Sequence, residues 1–191
     1  MKKFVLITAL VALTSSAFAQ SVIFANTGNA SFRLMTNNAD GTALGLMSGA
    51  NAHRIGLYTA PGGSAPSNSL VLVGMTTNSA NAALSGYFNG GNPFLLPSPA
   101  VALDIITFQI RTWQVSGGLT LAQAVAAGAS TGSSALGFTT LGGGPIPAGA
   151  LFGTNPGQVG TFQSAAPVPE PSSIAIGLLG LGAIALFRRR K

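Results

Sequence analysis

The chain has 191 residues and a formal net charge of +6, yet six of its nine basic residues stand at the two ends, in Lys2, Lys3 and the run from Arg188 to Lys191. Between Gln20 and Ala166, three scattered arginines oppose two aspartates, and this net charge of +1 excludes a nucleic-acid-binding protein, which needs a clustered basic face. The absence of cysteine excludes disulfide bonds, so a hydrophobic core alone must stabilise the fold.

The first 19 residues have the features of a secretory signal peptide. Two lysines precede an apolar segment over residues 4–13, and Ala17 and Ala19 form an A-x-A cleavage site. We therefore expect signal peptidase to cleave after Ala19, so that the exported chain begins at Gln20.

The body of the chain, residues 20–166, is predicted to be one domain built from short strands. Apolar or alternating runs recur at intervals of roughly ten residues and end at clusters of Gly, Asn and Pro. The predicted strands cover residues 22–25, 32–35, 53–59, 70–77, 84–88, 106–115, 136–140 and 159–162.

The strongest strand signal lies over residues 106–115. Large apolar side chains alternate there with Thr107, Gln109, Arg111 and Trp113, which predicts a central strand buried on one face. The body has one helical signal, which begins with Thr120 as its N-cap, continues over residues 121–127 and stops at Gly128. Together these elements favour an all-β fold, an antiparallel β-sandwich or jelly roll of about eight strands with one short helix.

The body offers little catalytic chemistry. Residues 128–132 match the G-x-S-x-G nucleophile pattern around Ser130, but a helix precedes this serine and no histidine follows it in the chain. Asp40, after two asparagines and before a glycine, is expected to form an Asx-turn. Asp104 is expected to accept from a local backbone amide or to meet an arginine. We therefore expect no enzymatic activity; an enzyme would have to depend on Asp104 or His53.

Metal and cofactor sites are not predicted either. His53 has no second histidine or cysteine as a zinc ligand, and we expect it to be a surface histidine with its hydrogen bonds satisfied. The loop around Asp40 lacks the first and twelfth ligands of a calcium-binding EF-hand, where Thr36 and Met47 stand instead. No cofactor is expected.

Aromatic residues of the body leave one binding hypothesis open. Trp113 and Tyr87 are candidates for stacking on a sugar, in which case the domain would be a carbohydrate-binding module. The alternative for Trp113 is a packed aromatic on the second face of the sheet, because buried aromatics dominate sandwich cores.

The C-terminal segment, residues 167–191, has three ordered parts. Pro169, Glu170 and Pro171 form an extended, exposed motif, because both prolines restrict the backbone. An uncharged apolar run from Ile174 to Phe187 follows and predicts a short membrane helix. Four cations, Arg188, Arg189, Arg190 and Lys191, then keep the C-terminus in the cytoplasm and the body outside.

This arrangement resembles the PEP-CTERM sorting signal of bacterial surface proteins. The resemblance implies that an exosortase-type membrane transpeptidase recognises Pro169, Glu170 and Pro171 and removes the tail. The sequence thus favours a non-enzymatic protein of the cell surface or extracellular matrix, anchored transiently in the inner membrane and then released. A body rich in Ser, Thr and Asn and poor in charge is consistent with contact with an exopolysaccharide matrix.

Overall fold

The computed structural model describes residues 20–27, 29–37, 43–48 and 52–165. The predicted signal peptide with Ala17 and Ala19, the turn at Asp40, and the sorting segment 167–191 lie outside these residues. Within them, no helix has the length and apolarity needed to cross a bilayer.

The described chain is mostly β-sheet with one short helix, as the sequence predicted. The helix, α1, spans Leu121–Ala126. The strands are β1 (Ser21–Ile23), β2 (Met35–Asn37), β3 (Ala43–Leu46), β4 (His53–Pro61), β5 (Val71–Thr77), β6 (Phe94–Leu95), β7 (Ile105–Gln114), β8 (Thr131–Ser133), β9 (Gly137–Thr140), β10 (Gly149–Ala150) and β11 (Gln163–Ala165).

The strands form two sheets, neither of which closes on itself. One has the order β10-β1-β6, and the other has the order β3-β2-β11-β8-β7-β4-β5, with β9 also paired to β7. The pairs β1–β10 and β2–β11 are parallel, whereas the other pairs of named strands are antiparallel. The expectation of purely antiparallel pairing is therefore wrong at these two positions.

One hydrophobic core takes residues from both sheets. Val22 and the adjoining Phe24 come from the small sheet, and both are fully buried against apolar residues of β4 and β7. The Phe24 ring makes edge contacts with Phe88 and Phe94, at centroid distances of 5.2 and 5.6 Å. The small sheet and the long strands thus share a single core.

Strand β7 is buried on both faces, so the prediction of a half-buried strand is wrong. Ile106, Phe108 and Ile110 lie in the core as expected. The opposite face is covered by the loop after β4, because the Thr107 hydroxyl donates to the Gly62 carbonyl at 2.7 Å and accepts from the Ala65 amide at 2.9 Å. Helix α1 packs on the same strand.

Helix α1 forms where the sequence predicted it. The Thr120 hydroxyl accepts from the Gln123 amide at 3.2 Å, and the Gln123 side chain accepts from the Thr120 amide at 3.1 Å, which completes a capping box. Gly128, with a φ of 66°, follows the last turn in the left-handed region that favours glycine.

Three predicted strands are misplaced. The 3-10 turns Ala30–Phe32 and Ala82–Leu84 end at the first residue of the strands predicted at 32–35 and 84–88, and β2 begins only at Met35. The reason is local: the side chains of Asn29 and Asn81 each accept from the backbone amide two residues on, at 2.9 Å, and this bond favours a turn over an extended chain. The strand predicted at 159–162 begins later, at β11.

Candidate functional site

A cleft of 600 Å³ opens on the face of β7 that points away from the core. The strand register explains its composition: Ser133 of β8 lies opposite Arg111, and Thr131 lies opposite Trp113. The loop after β4 and helix α1 supply the remaining walls. The lining residues are Ser67, Asn68, Gln109, Arg111, Leu121, Val125, Thr131, Gly132 and Ser133.

Arg111 is the only charged residue among the described residues that line this cleft. Its Nη2 donates to the carbonyl and the hydroxyl of Ser67, at 2.6 and 3.1 Å, and its Nε donates to the Gln109 side chain at 2.9 Å. The guanidinium carbon lies 4.3 Å from the centre of the Tyr58 ring. These contacts use Nε and Nη2 and leave Nη1 without an acceptor among the described residues, so the guanidinium is fixed while one amino group stays available.

Gln109 holds this arrangement from below. The Ser67 hydroxyl donates to its Oε1 at 2.8 Å, and its Nε2 donates to the Ser134 carbonyl at 2.9 Å. The side chain is 8% exposed, and both ends of its amide have partners. A buried amide with hydrogen bonds at both ends is held in one orientation, so Gln109 forms a rigid base for the cleft.

Tyr58 faces Arg111 because of the register between β4 and β7. Tyr58 pairs with Gln109 and Gly56 pairs with Arg111, so Tyr58 and Arg111 are diagonal neighbours on one face. A Cβ on Gly56 would lie 2.9 Å from the Tyr58 ring and 3.1 Å from that of Trp113. Glycine therefore provides the space for both aromatic rings.

The Tyr58 phenol stays neutral beneath the guanidinium. Burial raises the pKa of Tyr58 above its ordinary value of 10.0, and the nearby positive charge of Arg111 opposes this shift without cancelling it. The contact between the two residues is therefore a cation–π interaction and not an ion pair at neutral pH.

No carboxylate compensates Arg111 within the described residues. Their one carboxyl group, on Asp104, accepts from the Val101 amide at 3.0 Å, which is one of the two roles expected for it. Asp104 precedes Arg111 by seven residues along an extended strand, a separation of about 23 Å. The cleft therefore carries a net positive charge.

A second cleft, of 470 Å³, contains Tyr87. Arg33 lies 4.6 Å from the centre of this ring, and the Tyr87 side chain is half-buried. The other lining residues are mostly hydroxyl- or amide-bearing: Thr27, Thr76, Thr77, Asn78, Ser79, Leu84, Phe88 and Asn89. Tyr87 is thus accessible in a polar cleft, with the Arg33 cation against its ring.

Trp113 does not form the exposed sugar-stacking platform considered above. Its side chain is 0% exposed, and the strand that carries it is covered on both faces. The structure agrees with the alternative, a packed aromatic on the second face of the sheet. Trp113 also does not line the cleft that contains Tyr87, so the two candidate sugar-binding residues do not share a site.

His53 and Ser130 are likewise buried. His53 is 1% exposed, so the prediction of a surface histidine is wrong; its backbone amide donates to the Asn78 side chain at 2.6 Å. Ser130 is 8% exposed and its hydroxyl bonds to that of Ser164 at 2.8 Å. A strand follows Ser130, which is not the geometry of a nucleophile elbow. The described residues hold no group of three potential metal ligands.

The sequence did not identify most of the residues around Arg111. Ser67, Asn68, Thr131 and Ser133 come from segments to which it assigned neither a strand nor a helix. The available signal was the alternation that places Gln109 and Arg111 on one face of β7, opposite the core.

Comparison with known proteins bears on the C-terminal segment alone. Residues 167–191 match the family model of the PEP-CTERM protein-sorting motif, with the bounds that the sequence predicted. No curated protein and no solved structure matches the chain. The motif implies an exported protein that an exosortase recognises.

Proposed function

We propose that this PEP-CTERM protein is a non-enzymatic component of the cell surface or extracellular matrix. In this proposal, signal peptidase cleaves after Ala19, and the segment from Ile174 to Phe187 anchors the precursor in the inner membrane. An exosortase then cuts near Pro169, Glu170 and Pro171 and releases the body. The observation that carries the proposal is the sorting motif over residues 167–191.

The described body supports a non-catalytic role. Asp104 accepts from a local backbone amide, His53 is buried, and the Ser130 hydroxyl is paired with another serine. A general acid, a base or a nucleophile must reach a substrate, and these three side chains do not line either cleft described above.

Mass spectrometry of the mature protein from its native host tests the processing. We expect the surface form to lack the residues from Ile174 to Lys191; a surface form that retains them would contradict the proposal. Glu170→Ala should trap the precursor in the inner membrane. Ser172→Ala, just outside the tripeptide, is the matched control and should be processed normally.

The cleft around Tyr87 favours a second candidate function, that of a carbohydrate-binding module. A half-buried aromatic ring beside hydroxyl and amide groups is suited to a neutral sugar, which offers both a C–H face and hydroxyls. We expect the full chain to bind the exopolysaccharide of its host and Tyr87→Ala to weaken this binding. Phe138→Ala removes an exposed aromatic ring elsewhere and should leave the binding unchanged; equal binding by all three proteins would exclude the Tyr87 cleft.

A further inference from the structure

Arg111 combines rigidity with an unused donor. Two residues and one aromatic ring hold its guanidinium in place, while Nη1 points to no acceptor among the residues that the structure describes. Because the side chain is already ordered, it loses little conformational entropy when an anion binds. The arrangement is therefore that of a preorganised anion site.

The walls of the cleft indicate what else the anion carries. Thr131 and Ser133 present hydroxyls from β8, and Asn68 adds an amide from the loop after β4. In contrast to these polar groups, Leu121 and Val125 of α1 form an apolar wall, and Val125 is 62% exposed. A saccharide ring has hydroxyls along its edges and C–H groups on its faces, so it matches both kinds of wall.

The cleft favours a singly charged ligand. Of the residues that the structure describes, one arginine and no second cation line it. A phosphate monoester carries a charge of about −1.5 to −2 at neutral pH, whereas a carboxylate carries a single negative charge, so one arginine can neutralise a carboxylate completely. The volume of 600 Å³ is also within the range of about 300–1,000 Å³ that is typical of small-molecule sites.

We propose that the cleft around Arg111 binds a carboxylate-bearing saccharide, such as a uronic acid unit of an acidic polysaccharide. The carboxylate accepts from Arg111 Nη1, the ring hydroxyls bond to Thr131, Ser133 and Asn68, and a C–H face lies against Val125. The proposal rests on the export proposed above, which gives the body access to extracellular saccharides. It is independent of the Tyr87 cleft.

Calorimetric titration of the full chain in mild detergent tests the proposal, with a galacturonate trisaccharide and its methyl ester as matched probes. We expect the acid to bind at least about tenfold more tightly than the ester, because a hydrogen bond to a charged group contributes more than a neutral one. Equal binding of acid and ester would overturn carboxylate recognition. Inorganic phosphate that competes as well as the trisaccharide would overturn the saccharide assignment.

Substitutions locate the site. Arg111→Gln should weaken binding of the acid by about tenfold or more, whereas Arg33→Gln removes the same charge and a similar aromatic contact outside the cleft and should not. Equal losses of affinity in Arg111→Gln and Arg33→Gln would show that only the net charge of the protein matters, and this result would overturn the proposal. If Arg111→Gln does not fold, Val125→Glu places a repelling carboxylate at an exposed cleft position; Leu95→Glu, on the other sheet, is its control.

The outcomes separate this proposal from those on which it depends. Normal processing with no binding of the trisaccharide would reject the Arg111 site and leave the sorting proposal intact. Loss of binding in Tyr87→Ala but not in Arg111→Gln would move saccharide recognition to the other cleft and reject the Arg111 site.

Discussion

The burial of Trp113 predicts a structural role for this side chain and not a role in binding. Its side chain is 0% exposed, and its Nε1 is buried without an acceptor among the described residues. Truncation of a buried tryptophan removes a large apolar surface and leaves a cavity. We therefore expect Trp113→Ala to lower the free energy of unfolding by about 3–5 kcal/mol.

Trp113→Phe should cost much less. Phenylalanine keeps most of the apolar ring and removes the buried indole N–H, whose burial without a partner costs about 1–3 kcal/mol. This gain offsets part of the packing that the smaller ring loses, so the net loss of stability should stay below about 1.5 kcal/mol. The difference between the two variants separates packing of the ring from hydrogen bonding of the indole.

Urea denaturation of the exported protein, followed by circular dichroism, measures both values. Phe138→Ala, at an aromatic residue that is 46% exposed, is the control and should change stability far less than Trp113→Ala. The reasoning would be refuted if Trp113→Ala cost less than about 1 kcal/mol. A specific loss of saccharide binding with unchanged stability would restore the exposed platform that the structure rejects.

Four further predictions concern the cleft and its surroundings. Gln109→Leu should destabilise the fold by about 1–3 kcal/mol in urea denaturation, because Arg111 Nε and the Ser134 carbonyl lose their partner. The same substitution should weaken binding of the galacturonate trisaccharide; unchanged binding would show that Gln109 does not position Arg111. Thr120→Ala should cost about 1 kcal/mol by the same measurement through loss of the helix cap, and no loss would contradict the capping box. Because the folded-state pKa of Tyr58 is raised above 10.0, the stability that its neutral phenol contributes is complete below pH 10 and is lost at higher pH. Tyr58→Phe should therefore reduce the fall in unfolding free energy above pH 10. An unaltered pH profile would count against the burial of the phenol. Calorimetry between pH 5 and 9 should give a constant affinity for the trisaccharide, since Arg111 stays charged, with a decline below about pH 4 as the ligand carboxyl is protonated; an affinity that changes between pH 5 and 9 would indicate a titrating group in the site.

The sequence predicted the elements that depend on local signals. Strand β7 has ten residues with regular alternation, and α1 has a capping residue at one end and a glycine after the other. Both patterns are complete within a short stretch of chain, so the sequence located both elements. Its errors also had local causes, because Asn29 and Asn81 turn the chain where apolar neighbours suggested strands.

The burial of β7 and the cleft depend on contacts between distant parts of the chain. The loop after β4 reaches Thr107 and Arg111 through bonds that span more than forty residues. Alternation along β7 shows that Gln109 and Arg111 share a face, but it does not show what covers that face. The polar residues on the face of β7 opposite the core therefore predicted that this face is exposed to solvent. In the fold, a loop and a helix cover it and form a cleft.

The energetics of Arg111 connect the cleft with stability. A half-buried cation loses hydration, and Ser67, Gln109 and Tyr58 replace that hydration with neutral contacts. The described part of the chain offers Arg111 no counter-charge. An anion that binds Nη1 supplies the missing charge only in the folded state, so binding must stabilise the fold, by about 2.7 kcal/mol when the ligand is present at 100 times its Kd. The thermal midpoint of the full chain should therefore rise more with the galacturonate trisaccharide than with its methyl ester, and this difference should disappear in Arg111→Gln.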